Sequence, residues 1–242
     1  MSDSTSTRKF KRVIVKLSGE ALQGGAPHGL DAVTLARIAA DLATAAAAGH
    51  EIAVVVGGGN FFRGIKGADT GIERARADSI GMLATVMNGL ALEQAVEGQG
   101  RPARCLSAVP MPSVCESFSR RAALHHLAKG RVVIAAGGTG NPFFTTDTGA
   151  VLRAAELSAD AVLKATQVDG VYTADPKRDP TAERYERLTH DEAIAQNLAV
   201  MDTAAFALAR ENKIPILVFS IAEPGAIDAA LSGKGRATLV AP

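Results

Sequence analysis

The chain has 242 residues, 47% hydrophobic and 21% charged, enough for a large buried core in one domain or two closely joined lobes. Its net charge is only +1, with basic residues scattered rather than clustered, which argues against nucleic acid as the main partner. No apolar run reaches the ~20 residues of a membrane helix, and the polar start, residues 1–9, reads as a disordered tail without a signal-peptide core. Cys105 and Cys115, the only cysteines, read as a reduced cytoplasmic pair.

In chain order, Arg12–Leu17 predicts a strand leading into Ser18-Gly19-Glu20. A lysine, Lys16, at the C-terminal end of such a strand before a tight Ser-Gly turn stands where open α/β sheets bind ligands. Leu35, Ile38 and Leu42 share a helical face, with Gly49 as its stop. Glu51–Val56 predicts a second strand, ending in Gly57-Gly58-Gly59-Asn60 and followed by Arg63; consecutive glycines let a ligand approach the backbone. The next helix carries Ile80, Leu83, Met87 and Leu90 on one face and ends near Gly98. That face serves either the core or a subunit interface.

Ala103–Ser107 predicts a third strand, and Ser119–Lys129 a helix closed by Gly130, with His125-His126 as a surface pair. Arg131–Ala136 then runs into Gly137-Gly138-Thr139-Gly140-Asn141-Pro142-Phe143-Phe144-Thr145-Thr146-Asp147 and a helical segment from Thr148 to Leu157. Bare N–H groups and the positive end of a helix dipole converge in such a junction, which makes it an anion site. Ala161–Lys164 and Ile214–Phe219 are further strands. Between them, Asp175-Pro176 and Asp179-Pro180 punctuate a polar excursion from Gly170 to Leu188, a hairpin or extended loop. Thr189-His190-Asp191-Glu192 fits a capping box, and Asp202 caps a helix to about Asn212. The alternation predicts an α/β fold, a three-layer αβα sandwich on a mainly parallel sheet.

Three glycine turns at predicted strand ends, with Lys16 and Arg63, describe a crevice lined with N–H donors and two cations. That suits a polyphosphate undergoing transfer. The P-loop pattern is absent, and no His/Cys/Asp cluster has metal-ligand spacing; Mg²⁺ is expected to arrive on nucleotide phosphates. Lys164, at its strand end, is placed to add positive charge near them.

The segments Val15–Leu22, Gly57–Gly64, Gly81–Leu90, Gly138–Asp147 and Leu163–Pro176 together closely resemble the bacterial uridylate (UMP) kinases of the amino acid kinase superfamily. The resemblance runs in matching order from about Phe10 onward. It implies ATP + UMP → ADP + UDP with Mg²⁺, a single kinase domain over residues 10–242 with an acceptor lobe to about 160 and an ATP lobe beyond, and a homohexamer. It implies that Lys16, Leu17, Ser18 and Gly19 bracket the ATP phosphates, with Gly59 and Arg63 facing ATP, and that Thr166, Tyr172 and Asp175 hold the adenine nucleotide. Gly58 would face the UMP phosphate, and Thr139, Gly140, Asn141, Pro142, Phe143, Phe144, Thr145 and Thr146 would cradle UMP. Asp78 would accept hydrogen bonds from the ribose, or cap the helix before Ile80, or both. Lys16, Arg63 and Asp147 form the catalytic set, with Asp147 orienting Lys16.

The loop Gly24-Gly25-Ala26-Pro27-His28-Gly29 occupies the place of a GTP-activation loop in many of these kinases, although Pro27-His28 departs from the expected pair. UTP inhibition and a place in pyrimidine nucleotide synthesis follow from the resemblance. Rival readings are a kinase of the same superfamily acting on a carboxylate or carbamate, and a non-catalytic nucleotide or oxyanion binder.

Overall fold

Strands covered by helices on both sides are apolar at nearly every position, and the central strands here follow that rule. In the computed structural model, which describes residues 10–62, 71–176, 178–198 and 200–242, strand β1 (Arg12–Leu17) is buried from Val13 to Leu17 and β2 (Glu51–Val56) from Ile52 to Val56. The other strands are β3 (Ala103–Ser107), β4 (Glu116–Ser117), β5 (Val132–Ala136), β6 (Ala161–Thr166), β7 (Arg187–Thr189), β8 (Ile216–Ser220) and β9 (Ala237–Ala241). They form one sheet in the order β4-β3-β5-β2-β1-β6-β8-β9-β7, parallel throughout except that β9 runs antiparallel to β8.

The two-residue period of each strand sorts its side chains between two cores. Val13, Val15, Leu163 and Phe219 pack on one face with helices α1 (Ala32–Ala47), α2 (Arg74–Gly98) and α7 (Ala226–Leu231). Ile14, Val162, Ile216 and Val218 pack on the other with α3 (Arg120–Ala128), α4 (Thr146–Leu157), α5 (His190–Ala195) and α6 (Thr203–Glu211). The result is the expected three-layer αβα sandwich. Among the described residues no helix is long and apolar enough to cross a membrane.

The chain leaves β1 toward β2, β5 and β3 on one side and later returns to β6 on the other. This reversal opens a crevice at the C-terminal ends of β1 and β6, the place where open α/β sheets take ligands.

Two expectations are corrected, and one that was open is narrowed. Asp78 does not cap α2, which begins at Arg74 after Glu73; Asp78 lies in its second turn. On α2 the core half of the open choice fails for Leu83 and Met87, exposed at 44% and 51%; the helix buries Val86, Leu92 and Val96 together with the small Ala77, Ala84, Thr85, Asn88 and Gly89. These small residues let it lie close to the sheet, and a side chain at Gly89 would meet Cys105 Sγ at 2.9 Å. His126 is buried rather than superficial: its ring bridges Glu116 and Arg131, both at 2.9 Å. The excursion after β6 is hairpin-like through the antiparallel bridge of Tyr172 with Arg184, and then supplies β7. None of β4, β7 and β9 was foreseen.

Candidate active site

Lys16 and Lys164 each occupy the second-last or third-last position of a parallel strand, and the register of β1 on β6 sets them side by side. Both continue the side-chain face of Ile14 and Val162, and both are buried. Two neighbouring buried ammonium groups repel by a few kcal/mol at a protein's effective dielectric, so a counter-charge must stand between them. Asp147, in the first turn of α4, fills that role: its Oδ1 lies 2.7 Å from Lys16 Nζ and its Oδ2 2.5 Å from Lys164 Nζ. Burial pushes the Asp147 carboxyl up, but the two lysines outweigh it and hold the group below the ordinary 3.8. Lys164 is held below 10.5 by burial, with Asp147 opposing and Lys16 reinforcing the shift.

Glycine turns follow β1, which carries Lys16, and its neighbour β2. Ser18 caps a short 3₁₀ turn, Gly19–Leu22, with its hydroxyl accepting from the Ala21 N–H at 3.1 Å. Leu17 is fully buried, so only its backbone can face a ligand. The turns touch: a Cβ on Gly19 would stand 2.7 Å from the Gly59 N and 2.9 Å from the Gly57 O. Beneath them Asn60 and Asn88 form a reciprocal amide pair, at 2.7 and 3.0 Å, while Asn88 also donates to the Gly57 O and Asn60 to the Gly29 O, each at 2.7 Å. Sequence reading assigned neither side chain a role, although both lie within the segments it singled out. The Gly24–Gly29 loop is thereby stapled to the Gly57–Asn60 turn, with Pro27 and His28 exposed; it lines neither of the clefts described next. Arg63 lies outside the described residues.

A cleft of about 210 Å³ opens between the start of α2 and the junction before α4. Gly58, Asp78, Thr139, Asn141, Phe144, Thr145 and Thr146 line it together with Met82 and Thr85. Gly140, Pro142 and Phe143 lie in the same loop without lining it, but the Phe143 N–H donates to Asp78 at 2.8 Å. Arg74 grips the same carboxylate at 2.9 and 3.0 Å. Gly137 and Gly138 adopt positive φ, 75° and 57°, which turns the loop back over the strand end. Thr85 accepts the Gly137 N–H at 2.7 Å, and buried Arg153 donates to the Gly138 O at 3.0 Å. The first support comes from a helix 52 residues away and the second from two turns into α4, and neither has a local signal in the sequence.

A second cleft, about 440 Å³, lies beyond β6 between the segment from Val168 to Pro176 and Gln196, Asn197, Leu198 and Val200, and Tyr172 and Asp175 line it. Tyr172 donates to Asp169 at 2.5 Å, which fixes the ring against this wall. Thr166 does not line the cleft; its hydroxyl instead closes a turn with Val168, accepting at 2.9 Å and donating at 2.8 Å.

A glycine-lined crevice with two cations held on one carboxylate, flanked by two clefts, is a phosphoryl-transfer arrangement. Comparison with known proteins decides whose: the model of the amino acid kinase family matches residues 11–220. The chain belongs to the amino acid kinase family. Relatives of this amino acid kinase include the uridylate kinase of Azorhizobium caulinodans, 65% identical over 96% of this chain and 98% of that one, and that of Paramagnetospirillum magneticum, 57% identical over 98% of each. Among solved structures, the UMP kinase of Bacillus anthracis superposes with a TM-score of 0.93 at 40% identity over 97% of each chain. That of Ureaplasma parvum gives 0.92 at 37%, over 96% of this chain and 99% of the other.

Proposed function

We propose that this amino acid kinase is a UMP kinase, moving the γ-phosphoryl group of ATP onto the phosphate of UMP to give UDP. The observation that carries the reading is the Lys16–Asp147–Lys164 triad beside the two clefts. The smaller cleft takes UMP: Asp78 accepts from the ribose, Gly58 faces the phosphate, and the Thr139–Thr146 loop closes around it. The larger takes the adenosine of ATP against Tyr172 and Asp175, with Thr166 shaping its approach. The ATP phosphates then run toward Lys16, Ser18, Gly19 and Gly59, and Arg63 is assigned to them as well. The lobe to about residue 160 thus houses the acceptor and lends its strand-end turns to the ATP phosphates, and the lobe beyond holds the adenosine.

Transfer of a phosphoryl group asks a protein mainly for position and charge. Lys16 and Lys164 bear on the transferring group, and Asp147 keeps both ammonium groups aimed at one point instead of splaying apart. A carboxylate so engaged is an orienting group and a poor base, since two ammoniums stabilise its ionised form. Mg²⁺ arrives as part of the ATP substrate.

The resemblance to uridylate kinases supports GTP activation, UTP inhibition at the UMP site, cytoplasmic work in pyrimidine nucleotide synthesis, and a homohexamer. The exposed Leu83 and Met87 on α2 favour a partner copy there, and the loop at Gly24–Gly29, stapled to the glycine turn, is the segment assigned to the effector. A coupled ADP-release assay across UMP, CMP, dUMP, aspartate, acetylglutamate and carbamate, with and without GTP, tests the reading. UMP is the expected acceptor. Turnover of an amino acid or carbamate with none of UMP refutes it.

A further inference from the structure

Asp202 makes more hydrogen bonds than a helix cap needs. Its Oδ1 accepts the Ala205 N–H at 2.9 Å, which caps α6. The same oxygen accepts the Thr148 hydroxyl at 2.9 Å, and Oδ2 accepts the Thr145 hydroxyl. Thr145 is in turn the cap of α4, its oxygen accepting from the Asp147 N–H at 3.0 Å and the Thr148 N–H at 3.3 Å. A hydroxyl has one proton and two lone pairs. With the proton committed to Asp202, both lone pairs of Thr145 are left for the amides of α4. The Asp202 carboxylate therefore sets the Thr145 rotor, and Thr145 sets the backbone that carries Asp147.

The same contact joins the two clefts. Thr145 and Thr146 wall the smaller, and Leu198 and Val200, just before Asp202, wall the larger. Charge completes the picture: Lys164 faces Asp147 from α4, Lys16 from β1 and Asp202 from the start of α6.

We propose that Asp202 is a positioning residue for phosphoryl transfer, locking the starts of α4 and α6 together so that Asp147 holds Lys16 and Lys164 in place between the two substrates. The proposal rests on the kinase reading above. It specifies a carboxylate, because the NH₂ of an amide would face either the Thr145 hydroxyl, whose lone pairs are already taken, or the Ala205 N–H, and both of these donate.

Asp202→Asn tests it, with Thr148→Val as a second variant that removes one hydroxyl and keeps the charge. In Asp202→Asn, kcat at saturating ATP and UMP falls about tenfold or more while each KM stays within about threefold, the mark of an arrangement needed in the transition state. The alkaline limb of kcat/KM also moves to lower pH in Asp202→Asn, because an anion facing Lys164 is gone, and stays in place in Thr148→Val. An Asp202→Asn enzyme with wild-type kcat and limb overturns the proposal. So does a loss of activity that only tracks loss of folded protein, by melting and circular dichroism, with the limb unmoved. If the wild type makes no UDP from ATP and UMP, the kinase reading falls and this proposal with it; if the wild type is active, failure concerns Asp202 alone.

Discussion

Two lysines one strand apart would not be left together in a protein interior without a shared counter-charge, and Asp147 supplies it at 2.7 and 2.5 Å. The carboxyl titrates below 3.8 in the folded protein, so its contribution to stability is complete above pH 3.8 and is lost as pH falls through the lower folded value. Lys164 has the opposite exposure. Held below 10.5 by burial, it loses its proton earlier than a solvated lysine, and kcat/KM, which reports the free enzyme, should show an alkaline limb below pH 10.5. Lys164→Arg keeps its charge at high pH and should abolish that limb whatever it does to the plateau; an unchanged limb would assign it elsewhere. Lys16 and the glycines beside it were legible in the sequence because strand, lysine and turn are neighbours in the chain. The partnership of Lys16 with Lys164 was not, because it depends on the register of two strands 148 residues apart. Asp202 was visible only as a cap, since its threonine partners lie 54 and 57 residues away.

Among the elements, the strands that ran apolar on both faces were found nearly to the residue, as were the capped ends at Ser119, Thr189 and Asp202. Helix α2 shows where periodicity misleads. A reading by bulk groups Ile80, Leu83, Met87 and Leu90 as one face for core or interface, but the sheet side of the helix carries Ala84, Thr85, Asn88 and Gly89 along with Val86, Leu92 and Val96. Short β7 and β9 were missed because each depends on distant pairing, β9 on β8 and edge strand β7 on β9. The close approach of α2 to the glycine turn yields a prediction. A Cβ on Gly58 would meet the Gly81 O at 2.7 Å and the Ala84 Cβ at 2.8 Å, so Gly58→Ala must push helix and turn apart. Overpacking of this kind costs about 1–3 kcal/mol, and the melting temperature should drop by several degrees while KM for UMP rises and KM for ATP holds. Equal change in both KM values would contradict the placement of Gly58 in the acceptor cleft.

Across the whole molecule, the order in which strands join the sheet reverses beside β1, α4 delivers its N-terminus to that reversal, and two clefts open on either side. Exposed Leu83 and Met87 add an outward apolar face on α2. If copies of the proposed homohexamer meet there, Leu83→Asp with Met87→Asp should release smaller species in sedimentation velocity; an unaltered sedimentation profile would move the interface elsewhere. The central claim is that the triad acts on the transferring group and not on substrate capture. Single-turnover mixing of enzyme preloaded with MgATP against UMP, with UDP quantified, tests it most directly. Lys16→Ala and Lys164→Ala should each slow UDP formation about 10²–10³-fold, the scale of one preorganised charge-stabilising group, with calorimetric UMP affinity within about threefold of wild type. UDP formation at the wild-type rate, or a loss accounted for by weakened UMP binding, would contradict the account.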